Sequence, residues 1–212
     1  MIKMTINRFL KRIPVYVIPV ILVYIVIGFL VHVYDLHEFT EDEKRMKILV
    51  FFQTAFPILL TWWTSVFSKN VIHDDGNELY RTYLTGYSNV VSHLVLQICF
   101  LPALMIGYAL INWTIVPINP GMILYVVIEG FCLSSVAFMI NYSLSNVGVG
   151  MFLVGLYAFL VNYIDTLGLL KKISIYTKED VFVCKTAVWM LVIGGGALIL
   201  GALKYSLKPN YN

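Results

Sequence analysis

The sequence predicts an all-α, polytopic integral membrane protein with six transmembrane helices and a short cytoplasmic helix between the second and third. Composition points there first. Of 212 residues, 59% are hydrophobic and only 13% are charged, against about 25% charged in soluble domains, and mean hydropathy is +0.82. Charge spacing agrees: uncharged stretches run over 13–34, 48–68, 82–128, 130–164 and 186–203, and one crossing needs roughly 20 apolar residues. The third observation is the basic cluster Lys3, Arg8, Lys11 and Arg12 ahead of the first stretch, which places the N-terminus in the cytoplasm.

These features exclude several classes. With nearly all of the chain in the bilayer, there is no room for a soluble catalytic or nucleotide-binding domain of the usual 50 residues or more. The net charge of +3 is spread over short segments, too sparse to follow a phosphate backbone, so nucleic acid is not an expected partner. Cys99 and Cys132 fall inside apolar stretches and Cys184 stands alone, which argues against a disulfide framework.

The first span covers 13–34. It imitates a secretory signal but lacks a small-x-small cleavage site, and is expected to stay attached. The second covers 48–68. The long stretch 82–128 is divided by Asn112-Trp113 and Pro117-Ile118-Asn119-Pro120-Gly121, a turn signal beside an interfacial Trp, giving spans at 89–111 and 121–141. The stretch 130–164 is divided by the polar run Asn141 to Asn146, so the fifth span covers 148–167. The sixth covers 186–204. An even number of crossings puts both termini in the cytoplasm of a multi-pass cell-membrane protein, organised as one transmembrane domain over residues 1–212. The external segment 165–185 has short apolar stretches and is expected to fold back into the interface.

Ser68 to Ser88 is then the one long cytoplasmic loop. Leu79, Tyr80, Tyr83 and Leu84 recur at helical spacing, with Asn77, Glu78, Arg81 and Thr82 opposite, the pattern of a short amphipathic helix. Asp74 and Asp75 sit where carboxylates favour a helix N-terminus.

A charged loop between the second and third of six spans, reading Asp74-Asp75-Gly76-Asn77-Glu78-Leu79 and continuing through Leu84 into a Ser-containing span start, resembles the type-2 ATP-binding-cassette (ABC) exporter permeases. The Gly-Asn pair looks most like the small permeases of bacterial lantibiotic-immunity and peptide-export systems. The family commonly has Pro and then Ser-Arg after its coupling helix, where this chain has Gly86-Tyr87-Ser88-Asn89. The resemblance implies that Asp74, Asp75, Gly76, Asn77, Glu78, Leu79, Arg81, Tyr83 and Leu84 form the element seated on an ABC ATPase. It also implies a second permease, identical or related, and an amphipathic or hydrophobic substrate such as a peptide or drug. ATP and Mg would be held by the ATPase; no Gly-x-x-x-x-Gly-Lys-Ser/Thr occurs in this chain, so it is expected to bind no cofactor and to be non-catalytic.

Within the spans, Glu129 is the carboxylate placed well inside a stretch, where an ionised group costs roughly 2.5 to 3.5 kcal/mol. It reads either as a substrate or proton contact, or as a residue near the outer boundary or hydrogen-bonded inside the bundle. Thr54, Pro57, Thr61 and Ser65 on the second span, and Gly148, Phe152, Gly155, Phe159 and Asn162 on the fifth, make one-sided stripes. They suit a transport path or an exposed interface between permease chains, or small-residue packing within one bundle. Gly194-Gly195-Gly196-Ala197 with Gly201 suggests a close helix crossing. His93, four residues from Gln97, is expected to bond a neighbouring helix. His32 and His37 around Asp35, and His73 before Asp74, do not assemble a metal set at a recognised spacing, and no intramembrane protease arrangement is present.

The contrasting class is a membrane substrate-capture or immunity protein that binds its ligand without pumping. The vitamin-capture subunits of energy-coupling-factor importers resemble one another in an Ala-x-x-x-Ala surface on the first span, and residues 13–34 contain no alanine.

Overall fold

A computed structural model describes residues 13–36, 39–72, 86–114, 119–161 and 183–206, and among them the structure is all-helical. In chain order the helices are α1 (Ile13–Leu36), α2 (Glu41–Ile72), α3 (Gly86–Thr114), α4 (Gly121–Leu144), α5 (Val147–Phe159) and α6 (Cys184–Ser206). Four of them, over Glu41–Lys69, Asn89–Leu110, Gly121–Leu144 and Cys184–Lys204, are long and apolar enough to cross a membrane. α1, with 24 residues, and α5, with 13, are apolar as well.

Local chemistry sets several helix ends. α2 begins seven residues before the uncharged stretch because Thr40-Glu41-Asp42-Glu43 is a capping box: the Thr40 hydroxyl accepts from the Glu43 amide at 3.4 Å, and the Glu43 carboxylate accepts from the Thr40 amide at 3.0 Å. Before α4, Asn119 Oδ1 accepts from the Gly121 amide at 2.9 Å, closing the expected turn. The turn after α4 is tighter than the polar run 141–146 suggests. Only Ser145, at φ 53°, and Asn146 separate the helices, and Asn146 caps α5 by accepting from the Gly148 amide at 3.0 Å. Asn141 therefore belongs to α4 rather than to a loop.

Contacts at two levels fix the helix directions. Tyr16 meets Trp63 and Tyr24 meets Phe56, so α1 and α2 are antiparallel. Phe100 meets Trp63 while Gly107 meets Phe56, and His93 meets Phe138 while Gln97 bonds Ser134, so α3 opposes both α2 and α4. Gly150 lies against Ala137 and Asn141, and Val154 clusters with Leu133, so α5 opposes α4. By contrast, Gly130 lies by Pro57 and Asn141 by Ser65, so α4 runs with α2. Gly194 lies on Cys132 and Gly201 on Met139, so α6 runs with α4. The directions alternate strictly along the chain. One end of the bundle accordingly carries Ile13, the α2–α3 exit and entry at Ile72 and Gly86, the α4–α5 turn, and Ser206.

α4 is the hub, packed on α6, α2 and α5. The α4–α6 crossing is close: a Cβ at Gly194 would lie 2.6 Å from the Phe131 ring and 3.1 Å from the Cys132 Cα, and one at Gly201 2.6 Å from the Phe138 ring. Gly195 and Gly196 meet nothing within 4 Å, so the crossing uses two glycines seven apart rather than the whole run. The larger apolar cluster gathers Tyr16, Phe52, Phe56, Trp63 and Phe100 around α2. Two carbonyls of α1 take the indoles there, the first of them freed by proline. Pro19 donates nothing back to the Val15 carbonyl, which takes the Trp62 indole N–H at 3.4 Å, and Trp63 Nε1 donates to the Tyr16 carbonyl at 2.9 Å.

The outer faces are apolar, unlike those of a soluble bundle, and the interior also holds polar groups. Outward faces carry Ile18, Ile25 and Phe29 on α1, Ile98 and Ile106 on α3, and Trp189, Val192 and Ile199 on α6. Gln53, Thr61, Ser65, Glu129, Ser134 and Asn141 are enclosed. This is the distribution expected where hydrocarbon is the solvent, and the chain is a membrane protein by that criterion.

Candidate functional site: a polar interior beside an apolar crevice

The polar interior begins on α2. Thr54, Thr61, Thr64 and Ser68 bond back to carbonyls on their own helix, at Val50, Pro57, Thr61 and Thr64, over 2.7 to 2.9 Å. Such back-bonding loosens a helix, and Pro57 offers no donor to the Gln53 carbonyl one turn earlier. The middle of α2 is thus weakly self-supported at the level where it faces α4.

Thr54, Thr61 and Ser65 are buried, with Thr61 fully enclosed. This corrects the expectation that a single chain exposes the second-span stripe: its small polar residues pack against α4 within one bundle, because α2 and α4 run together along that face. Ser65 instead joins a bridge between helices. Asn141 Nδ2 donates to Ser65 Oγ at 3.3 Å, and Asn141 Oδ1 accepts from the Gly150 amide at 3.1 Å, tying α2, α4 and α5 at one point. The stripe on α5 does face outward, with Phe152 66% and Phe159 52% exposed.

Glu129 is fully enclosed, and neither carboxylate oxygen meets a hydrogen-bond partner among the described residues. It lies eight residues into α4, about 12 Å along the axis, and no hydrogen bond to a described residue accounts for it. Gln53 on α2 is equally enclosed and equally without side-chain partners. Since Gly130 lies by Pro57, Gln53 and Glu129 occupy neighbouring levels of two parallel helices. Sequence reading passed over Gln53, though an amide four residues before a buried Pro on the same face was a signal.

His93 bonds within its own helix: Gln97 Nε2 donates to His93 Nε2 at 2.8 Å and to Ser134 Oγ of α4 at 2.9 Å. The expectation that His93 itself bonds a neighbouring helix is therefore corrected; Gln97 makes the crossing. Beside this relay a crevice of about 360 Å³ opens between α2, α3 and α4, walled by Pro57, Leu60, Ile98, Leu101, Gly130 and Phe131, with Gln97 as its polar residue. Its mouth is on the exposed side of α3, where Ile98 is 64% exposed. A recess of about 340 Å³ lies at the chain-terminus end between Ser65, Lys69 and the α4–α5 turn.

The expected coupling residues Asp74, Asp75, Gly76, Asn77, Glu78, Leu79, Arg81, Tyr83 and Leu84, together with Asn162, lie outside the described residues. Among the described residues no group of three or more His, Cys, Asp or Glu gathers. Comparison of the chain with protein-family models, with curated proteins and with solved structures yields no match.

Proposed function

We propose that this chain is the transmembrane permease subunit of an ATP-driven exporter, moving an amphipathic or hydrophobic substrate such as a peptide or drug. In this reading all six helices cross the cell membrane, both ends are cytoplasmic, a second permease completes the path, and an ABC ATPase with ATP and Mg docks on residues 74–84. The observation that carries the reading is the pair Gln53 and Glu129, enclosed in mid-bundle without partners. Polar groups without partners are costly in a membrane interior and persist where another conformation or a substrate supplies what is missing. The strictly alternating helix directions support the six crossings. They also bring the exit at Ile72 and the entry at Gly86 to the same end as Ile13 and Ser206, where a soluble partner would meet the connection between α2 and α3.

The test is purification of the tagged chain from its native membrane in mild detergent. An ATP-hydrolysing subunit copurifies. Leu79→Ala or Tyr83→Ala releases it, since loss of an apolar anchor of about 2 kcal/mol weakens binding about thirtyfold. A functional chain that purifies without any ATPase overturns the exporter reading in favour of ligand capture without pumping.

A further inference from the structure

The crevice between α2, α3 and α4 has the attributes of a ligand site rather than of a packing gap. At about 360 Å³ it lies within the size range of small-molecule pockets, which are mostly apolar with a few placed polar groups. At the roughly 30 Å³ that a water molecule occupies in the liquid, it accommodates about a dozen water-sized groups. Its floor depends on Gly130, where an added Cβ would come within 3.0 Å of Leu60; a larger residue would crowd Leu60 and reduce the space. Its mouth is lateral. Leu94, Ile98 and Leu101 on α3 and Leu191 on α6, all among its lining residues, are exposed on the outer faces that hydrocarbon covers. A molecule already dissolved in the bilayer reaches it without passing through water.

Its polar residue is oriented. Both hydrogen bonds of Gln97 use the amide nitrogen, one to His93 and one to Ser134, which holds the carboxamide in place and leaves its carbonyl oxygen to accept. His93 is itself fixed by the Phe138 ring, 5.0 Å away centroid to centroid. Every other lining residue is Phe, Pro, Leu, Ile, Val or Gly.

We propose that this crevice receives, from the bilayer, the apolar part of a neutral amphipathic molecule, and that the Gln97 carbonyl accepts a hydrogen bond from its hydroxyl. The proposal rests on the transport reading for its purpose, but its test does not need a partner ATPase. The purified chain in nanodiscs is irradiated with a diazirine-bearing decanol, and labelled residues are mapped by mass spectrometry. Label concentrates on the crevice residues Ile98, Leu101 and Phe131. Unlabelled decanol displaces it about fivefold better than decane, the worth of one neutral hydrogen bond. Gln97→Leu keeps the label but abolishes that preference. Leu101→Trp, at a position 37% exposed and tolerant of bulk, blocks the mouth and removes the label; Gly130→Leu does the same from the floor. Labelling no stronger than at the exposed positions Ile25 and Ile199, or equal displacement by decane in the unmodified chain, overturns the proposal. Decanol preference in a chain that recruits no ATPase keeps the site and rejects the exporter.

Discussion

Replacing Asn141 by Ala removes one side chain and two interhelical ties, the 3.3 Å bond to Ser65 Oγ and the 3.1 Å bond from the Gly150 amide. Polar ties between membrane helices average about 0.6 kcal/mol and reach about 1.7. Gly150, four residues after the Asn146 cap, keeps its intrahelical acceptor there, so what it loses is the tie to α4. The two ties together give a loss of about 1 to 3 kcal/mol. For a chain of this size that corresponds to a fall in melting temperature of about 2 to 12 °C. The assay is thermal unfolding of the detergent-purified chain followed by tryptophan fluorescence, since Trp62 and Trp63 lie on the same helix as Ser65. Ser65→Ala keeps the Asn141 tie to Gly150 and loses only the bond to Ser65, so it falls between the two. A melting temperature for Asn141→Ala equal to that of the unmodified chain would show that α2, α4 and α5 are not joined through this residue.

Two further predictions concern the interior and the outer face. Glu129→Gln keeps the shape and removes the ionisable group, so the bundle remains folded while transport is lost; full transport by this variant in vesicles would make Glu129 a packing residue. Phe159→Cys, exposed on α5, forms a disulfide with a second permease, while Thr61→Cys, enclosed between α2 and α4, forms none under the same oxidant; efficient crosslinking at Thr61 would contradict the burial of that stripe.

The six helices were readable because charge gaps and turn residues report directly on the solvent a segment prefers. The Pro120-Gly121 start of α4 and the close crossing at Gly194 and Gly201 followed from local rules. The capping box Thr40 to Glu43 carries α2 about two turns ahead of the span expected at 48–68, a local signal that the charge gaps alone do not report. Periodicity showed that Thr54, Thr61 and Ser65 share one side without showing which neighbour covers it. That depends on α2 and α4 running in the same direction, a property of the whole bundle. Asn141 stands where the fourth span meets the polar run 141–146, and its polarity suits a turn; inside α4 its bonds are met by Ser65 on α2 and Gly150 on α5. The crevice was not legible at all, since three helices and the position of Gly130 opposite Leu60 create it.

The central claim is that the connection between α2 and α3 faces the cytoplasm, where an ATPase can reach it, while the α1–α2 connection lies outside. Single cysteines at Thr40 and at Asn77 test it, in a chain whose Cys99, Cys132 and Cys184 are replaced, the exposed Cys184 above all. With a membrane-impermeant maleimide applied to intact cells, Thr40→Cys is labelled and Asn77→Cys is labelled only after the membrane is opened. Labelling of Asn77→Cys in intact cells would contradict the account.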